Sequence, residues 1–125
     1  MIHLDTSFLV RALGRGSPED RHLRGWLGAG ESLAISTIGW AELLCGPLEA
    51  DDLVHVARIV RDPVPFVEAD STLSARLFNL GGRRRHSLLD CMIAAVALRA
   101  GAALATANPS DFRRFERAGL RLIGP

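Results

Sequence analysis

The stretch "LLDCMIAAVALRAGAALATANPSDF", residues 88–112, decides how the chain is read. Apolar residues crowd its first half so densely that a helix over about Leu88 to Ala100 buries most of its faces. Gly101 ends that helix, "AALAT" follows as a short apolar strand, and a turn leads into a further short helix, "SDFRRFERAG". A strand that is apolar throughout, fed by a helix, belongs to a parallel sheet covered on both faces, because a sheet with one wet side shows alternation instead. From Ser87 to Leu98 the only charged side chain is Asp90. An unpaired ion is expensive away from water, so Asp90 requires a cation, a proton or an open edge.

Outward from this unit the same alternation repeats. "MIHL" is an apolar run ending at Asp5, and "TSFLVRAL" follows in helical rhythm with Asp5 or Thr6 as its cap. "SPEDRHLRGWLGAG" starts a helix at Ser17-Pro18 and sets Leu23, Trp26 and Leu27 on one face. "SLAIS" is a second buried strand, after which Ser36 or Thr37 caps "TIGWAELLCG", stopped by Gly46-Pro47. "LEADDLVHVARIVRD" and "DSTLSARLFNLGG" are amphipathic helices with a short strand, "PFVEA", between them, and "LRLIG" is a closing strand. Strands alternating with helices predict an α/β fold in one domain, residues 1–125. Ligands in such folds bind beyond the carboxyl ends of the strands.

Composition narrows the function. The 125 residues are 48% hydrophobic and 23% charged with a net charge of +1, which gives no global basic field. All 15 basic residues are Arg. The first residues lack a basic leader and a small-residue cleavage site, and no uncharged apolar stretch reaches the ~18 residues of a membrane span. Cys45 and Cys91 sit in apolar helical patterns and read as two buried free thiols in a reducing cytosol.

The binding rule for parallel sheets makes the acids informative. Asp5 ends the first strand, Glu42 lies about one helical turn beyond the second, Asn108 and Asp111 follow "AALAT", and Asp90 joins them if its helix starts at the same edge. Two carboxylates ~4 Å apart repel by roughly 4 kcal/mol at the effective dielectric usual in proteins. Shared protons or a bound cation relieve this. Oxygen donors without His or thiolate suit Mg²⁺ or Mn²⁺ and point to metal-assisted phosphodiester hydrolysis. Singly, each residue also has a plain structural reading: Asp5 as a cap, Glu42 as an exposed helix residue, Asp111 as a helix N-cap with Thr106 and Asn108 in a turn.

"MIHLDTSFLV", "ISTIGWAELLCG", "LLDCMIAAVAL" followed by "LATANPSDF", and the closing "LRLIGP" together resemble the PIN domain, specifically its VapC-type ribonuclease toxins, over essentially the whole chain. The resemblance implies a three-layer α/β/α, Rossmann-like fold with a central parallel sheet of four to five strands. It implies a cytoplasmic Mg²⁺- or Mn²⁺-dependent endoribonuclease, usually a homodimer and a heterotetramer or larger with a cognate VapB-like antitoxin. By position, Asp5, Glu42 and Asp90 match the family's first three acids, and Thr6 and Thr106 its hydroxyl residues. The sequence departs at the fourth acid, where Asn108 stands and the next carboxylate is Asp111.

An acidic pocket repels an RNA backbone, so the rim must be basic. Arg83, Arg84 and Arg85, directly before the Asp90 helix, are the candidates for phosphate contact, with a solvated loop as the alternative reading. His86 is either a proton donor to the leaving oxygen or a surface residue, and Trp26 and Trp40 read as core or dimer contacts. A phospho-receiver module needs a Lys and this chain has none; a dehalogenase-like phosphatase wants Asp where Ser7 stands; a dinucleotide-binding turn needs glycines that "DTSFLV" lacks. A catalytically silent PIN-like module that binds RNA or protein is the remaining alternative.

Overall fold

Four short strands pair in parallel in the order β2-β1-β3-β4. The computed structural model describes residues 1–125. In chain order the elements are β1 (Ile2–Leu4), α1 (Thr6–Ala12), α2 (Pro18–Gly28), β2 (Leu33–Ala34), α3 (Thr37–Cys45), α4 (Ala50–Ile59), α5 (Glu68–Leu80), α6 (Leu88–Arg99), β3 (Ala103–Ala105) and β4 (Leu122–Ile123). Two short 3-10 helices, Pro109–Asp111 and Arg113–Ala118, lie between β3 and β4.

Every residue of β1 and β3 is buried, which is why those segments carry no polar alternation. Successive side chains point to opposite faces. Ile2, Leu4 and Ala105 therefore join one apolar cluster with Phe8, Leu9, Leu23, Leu43 and Val56, while Leu104 joins a second with Leu77, Cys91, Ile93, Phe112 and Phe115. The result is the expected three-layer α/β/α arrangement, with four strands. Small residues on α6, Ala94, Ala95 and Ala97, are buried to the last atom and let this helix sit close to its neighbours. Trp26 and Trp40 pack on the first cluster, Trp26 stacked on Phe8 with ring centroids 5.4 Å apart. No helix is long and apolar enough to cross a membrane.

Three expectations are corrected. "PFVEA", residues 65–69, forms no strand: Glu68 and Ala69 already belong to α5, and the one isolated parallel bridge to Ser36 is made by Val64, just before it, where the following Pro65 lacks the N–H that would extend pairing. "SDFRRFERAG" is not one α-helix but two 3-10 segments, whose tighter winding buries Phe112 and Phe115, three residues apart, in the same cluster. Cys45 is exposed on the last turn of α3, where Gly46-Pro47 cuts the helix off in solvent, whereas Cys91 is buried as expected.

An ion pair not anticipated from sequence ties α5 to α6. Asp70 is wholly buried; its carboxylate accepts from Arg99 Nε at 2.7 Å and from the Val67 N–H at 2.9 Å, and Arg99 Nη2 donates to the Pro65 carbonyl at 2.8 Å. Breaking a buried pair from one side is costly, so Asp70→Ala is expected to destabilise the fold by about 3 kcal/mol, a fall of roughly 10 °C in Tm. A thermal melt followed by circular dichroism measures it, and a loss of only a degree or two would show that the pair adds little. His3 on β1 is equally buried, with neither ring nitrogen hydrogen-bonded. Burial, then the charges of Arg99 and the amino terminus, lower its pKa to about 4 and keep it neutral.

Candidate active site

The chain leaves β1 towards β2 on one side and returns to β3 on the other, so the carboxyl ends of β1 and β3 flank the topological switch point of the sheet. Asp5 is the first residue past β1, and its N–H donates to the Ala105 carbonyl at 2.9 Å. Its backbone occupies the N-cap position of α1, yet its side chain caps nothing. Oδ2 instead accepts from Ser7 Oγ at 2.7 Å and from Thr106 Oγ1 at 2.8 Å, while Oδ1 accepts from no protein group. The simple capping role is thereby excluded. Thr106 follows β3 directly, and its oxygen also accepts from the Asn108 N–H at 3.0 Å. Ser7 accepts from the Ala107 N–H at 3.1 Å, so two hydroxyls lock the turns after β1 and β3 around one carboxylate.

Glu42 reaches the same crevice from α3. Thr6 Oγ1 donates to the Gly39 carbonyl at 2.9 Å, with Glu42 Oε1 3.4 Å away. Gly39 itself packs closely on the preceding turn, where a Cβ would stand 3.0 Å from Ile35 Cγ1. Burial raises the Glu42 pKa, the charge of Asp5 raises it further, and the Thr6 hydroxyl works against both.

Asp90 lies half-buried in the first turn of α6. Its carboxyl is pushed up to about 6, first by burial, then by the charges of Asp111 and Asp5, with Arg114 opposing and Glu42 adding to the rise. Carboxylates from four separate segments thus act on one another. Asp111 closes the first 3-10 helix rather than capping a helix start. Asn108 is exposed, and its carboxamide forms no hydrogen bond within the chain.

The donor set is all oxygen, which matches a hard divalent ion in kind. No three of the His, Cys, Asp and Glu side chains are gathered tightly enough to hold an ion as they stand. The acids nonetheless feel one another: after burial, the charge of Asp5 raises the pKa of Glu42, and those of Asp111, Asp5 and Glu42 raise that of Asp90. An ion that keeps several waters tolerates such an open set.

Beside Asp90 opens a recess of about 290 Å³ whose walls include Arg84, Arg85, His86, Asp111 and Arg114. Arg83, named with its two neighbours from sequence, is not in it: its Nη1 donates to Asn79 Oδ1 at 3.0 Å and its guanidinium lies 5.9 Å from the Phe78 ring centre. Neither Ser7 nor Arg114 is singled out for the site by sequence reasoning. Ser7 carries a signal, a hydroxyl two residues past the first acid; Arg114 carries none that separates it from Arg113.

The family model described as PIN domain matches residues 2–118. The chain belongs to the PIN domain family. Solved PIN-fold structures agree in architecture: VapBC2 from Rickettsia felis, bound to a DNA fragment from its promoter, is 22% identical with a TM-score of 0.72 and 98% of each chain covered. VapBC-1 from nontypeable Haemophilus influenzae is 21% identical at a TM-score of 0.72, covering 98% of this PIN domain and 97% of that chain. VapC20 of Mycobacterium tuberculosis, described as a sarcin-ricin loop cleaving toxin, is 18% identical at a TM-score of 0.67 over the whole of both chains. No curated protein sequence matches this PIN domain.

Thr106→Val tests whether the hydroxyl lock serves the site. The change keeps the shape but removes one of two donors to Asp5 and the acceptor for the Asn108 N–H. Loss of such an orienting partner is expected to lower the activity of the site about 10- to 100-fold with little change in Tm. An unaltered rate would show that Ser7 suffices.

Proposed function

We propose that this PIN domain is a metal-dependent endoribonuclease, the toxin of a VapBC-type toxin–antitoxin pair acting in the cytoplasm. The observation that carries the reading is the convergence of Asp5, Glu42 and Asp90 at the switch point, with the Asp90 carboxyl pushed up to about 6 by burial and by the acids around it. Perturbed carboxyls gathered in a crevice mark functional sites.

Mg²⁺ or Mn²⁺ would be held by Asp5, Glu42 and Asp90, and when bound it supplies charge neutralisation and Lewis-acid activation of water and phosphoryl oxygen. The chain's own groups prepare the rest. Ser7 and Thr106 fix Asp5 with Oδ1 free for a ligand, and Thr6 limits the swing of Glu42. Arg84, Arg85 and Arg114 offset the repulsion between the acids and an incoming phosphate backbone. Hydrolysis in this family's manner leaves 5′-phosphate and 3′-hydroxyl ends.

The antitoxin assignment is supported by a groove of about 140 Å³ between α1, α2 and α4, floored by Leu9, Leu13, Leu23, Val56 and Ile59 and edged by Asp20, Arg24 and His55. Such a groove suits the apolar face of a partner helix. Exposed Leu27 on α2 and Val54 on α4 are candidates for a homodimer face, or for a heterotetramer or larger assembly with the antitoxin.

The test is digestion of total RNA by the purified chain with Mn²⁺, Mg²⁺ or chelator, followed by end mapping. Cleavage that appears only with metal and leaves 5′-phosphate ends is the expected result. The open spacing of the acids favours a second reading, a catalytically silent module that binds RNA or protein. Intact RNA at saturating metal would select that reading.

A further inference from the structure

A second recess, of about 250 Å³, opens at the carboxyl ends of β3 and β4, and its walls include Thr106, Pro109, Arg113, Glu116, Ile123 and Gly124. Thr106 joins it to the acidic crevice, because the hydroxyl of this residue donates to Asp5 Oδ2 at 2.8 Å. Consecutive residues serve the two recesses: Arg114 lines the one beside Asp90, and Arg113 lines this one. Gly124, at φ 107° in the left-handed region that favours glycine, turns the chain after β4, and a Cβ there would meet Phe8 at 3.6 Å and Trp26 at 3.8 Å.

Residues three apart eclipse one another in a 3-10 helix. That spacing sends Phe112 and Phe115 inward and sets Arg113 and Glu116 together on the recess side, both exposed. They do not close on each other: the ion pairs of the chain are Arg11–Glu19, Arg24–Asp20 and Arg99–Asp70. A donor fork and a carboxylate therefore face one space with their hydrogen-bonding capacity unspent. The carboxylate is the telling member, since negative charge beside the path of a polyanion repels it. Accepting hydrogen bonds from a base outweighs that repulsion, and guanine suits the pair on both sides. Its O6 and N7 accept from an Arg fork, while N1–H and the 2-amino group present two adjacent donors to a carboxylate. Uracil has a single N–H, and in adenine and cytosine the amino group stands beside a ring nitrogen whose lone pair a carboxylate repels.

We propose that this recess is a guanine-reading subsite for single-stranded RNA, in which Arg113 donates to O6 and N7, Glu116 accepts from N1–H and the 2-amino group, and Pro109 and Ile123 supply apolar surface for the ring. The inference rests on the ribonuclease reading and deepens it, because it names the base held next to the acidic crevice. Arg113 and Glu116 determine which RNA is taken and leave the reacting phosphate to other groups.

The experiment is fluorescence anisotropy of a labelled oligouridine carrying one central guanosine, titrated with the full chain in chelator so that nothing is cut, beside the same oligomer with adenosine, cytidine or uridine at that position. The guanosine oligomer is expected to bind at least about fivefold more tightly than the others. Inosine, which lacks the 2-amino group, and 7-deazaguanosine, which lacks N7, are each expected to lose part of that preference. Glu116→Ala is the decisive variant. It should weaken binding of the guanosine oligomer and make inosine and guanosine equivalent, yet bind the all-uridine oligomer as well as the wild type or better, because a repelling charge is gone. Arg113→Ala should make 7-deazaguanosine and guanosine equivalent and weaken every oligomer. Circular dichroism melts verify that both variants are folded. Equal binding of the four oligomers by the wild type, a preference for another base, or a guanosine preference that survives Glu116→Ala overturns the subsite and leaves the ribonuclease reading in place. Binding to none of the oligomers also overturns the subsite, and intact total RNA in the digestion with metal overturns the ribonuclease reading with it.

Discussion

Asp90→Asn is expected to lower RNA cleavage by at least about 10²-fold and, in metal-free buffer at neutral pH, to raise Tm. The two effects have one origin. Residues that merely orient metal ligands cost 10- to 100-fold on removal, so Asp90, in the ligand role proposed for it, costs no less. The Asp90 carboxyl is pushed up to about 6 because its negative charge is penalised by burial and by Asp111, Asp5 and Glu42. Asn keeps the shape and discards that charge, so the metal-free fold gains what the working site loses, the familiar trade between stability and activity. Cleavage at the wild-type rate by a folded Asp90→Asn protein would remove Asp90 from the site.

Saturating Mg²⁺ or Mn²⁺ is expected to raise Tm by about 10 °C at a concentration near 100 times Kd, since binding to the native state alone then contributes about 2.7 kcal/mol. The shift should depend on pH. The folded pKa of Asp90, about 6, lies above its ordinary value of 3.8. Between those values the native state binds more protons than the unfolded chain, so metal-free stability falls as pH rises through the window. A cation takes the place of the proton and removes the penalty. The stabilisation by metal is therefore small at pH 5, grows through pH 6 and levels off above pH 7. Differential scanning fluorimetry with and without metal, from pH 5 to 8, measures it; a shift independent of pH, or none, would mean that Asp90 does not share the ion.

The fold and the meeting of Asp5, Glu42 and Asp90 at one edge are legible in the sequence because each rests on local pattern. Apolar runs without alternation mark β1 and β3 as doubly covered strands, and the edge rule places Asp5, Glu42 and Asp90 at one end of them. The misses are of another kind. Ser7 gains its role only by meeting Thr106 and Ala107 across the sheet, and Arg114 only by lying under the loop that Gly81 begins. Asp70 and Arg99 are 29 residues apart and look like ordinary helix charges until α5 and α6 pack together. "PFVEA" reads as a strand on apolarity alone, although Pro65 brings no donor and Glu68 and Ala69 are taken into the first turn of α5. The choice between Asn108 and Asp111 also needs tertiary placement, which shows the charge of Asp111 acting on Asp90.

The hydrogen bond between Thr106 and Asp5 joins residues 101 positions apart. Of everything that shapes the site, this closure depends on the greatest length of chain, and closures of that span form late because their entropy must be met before any contact rewards it. During synthesis at roughly 5–20 residues per second, about 5–20 s separate the appearance of Asp5 from that of Thr106. Until then Asp5 lacks both β3 and one of its two hydroxyl donors, so a chain that has not reached Thr106 carries no assembled acidic crevice. The topology acts as a timer: the crevice around Asp5 closes only after the residues that follow β3 have been made.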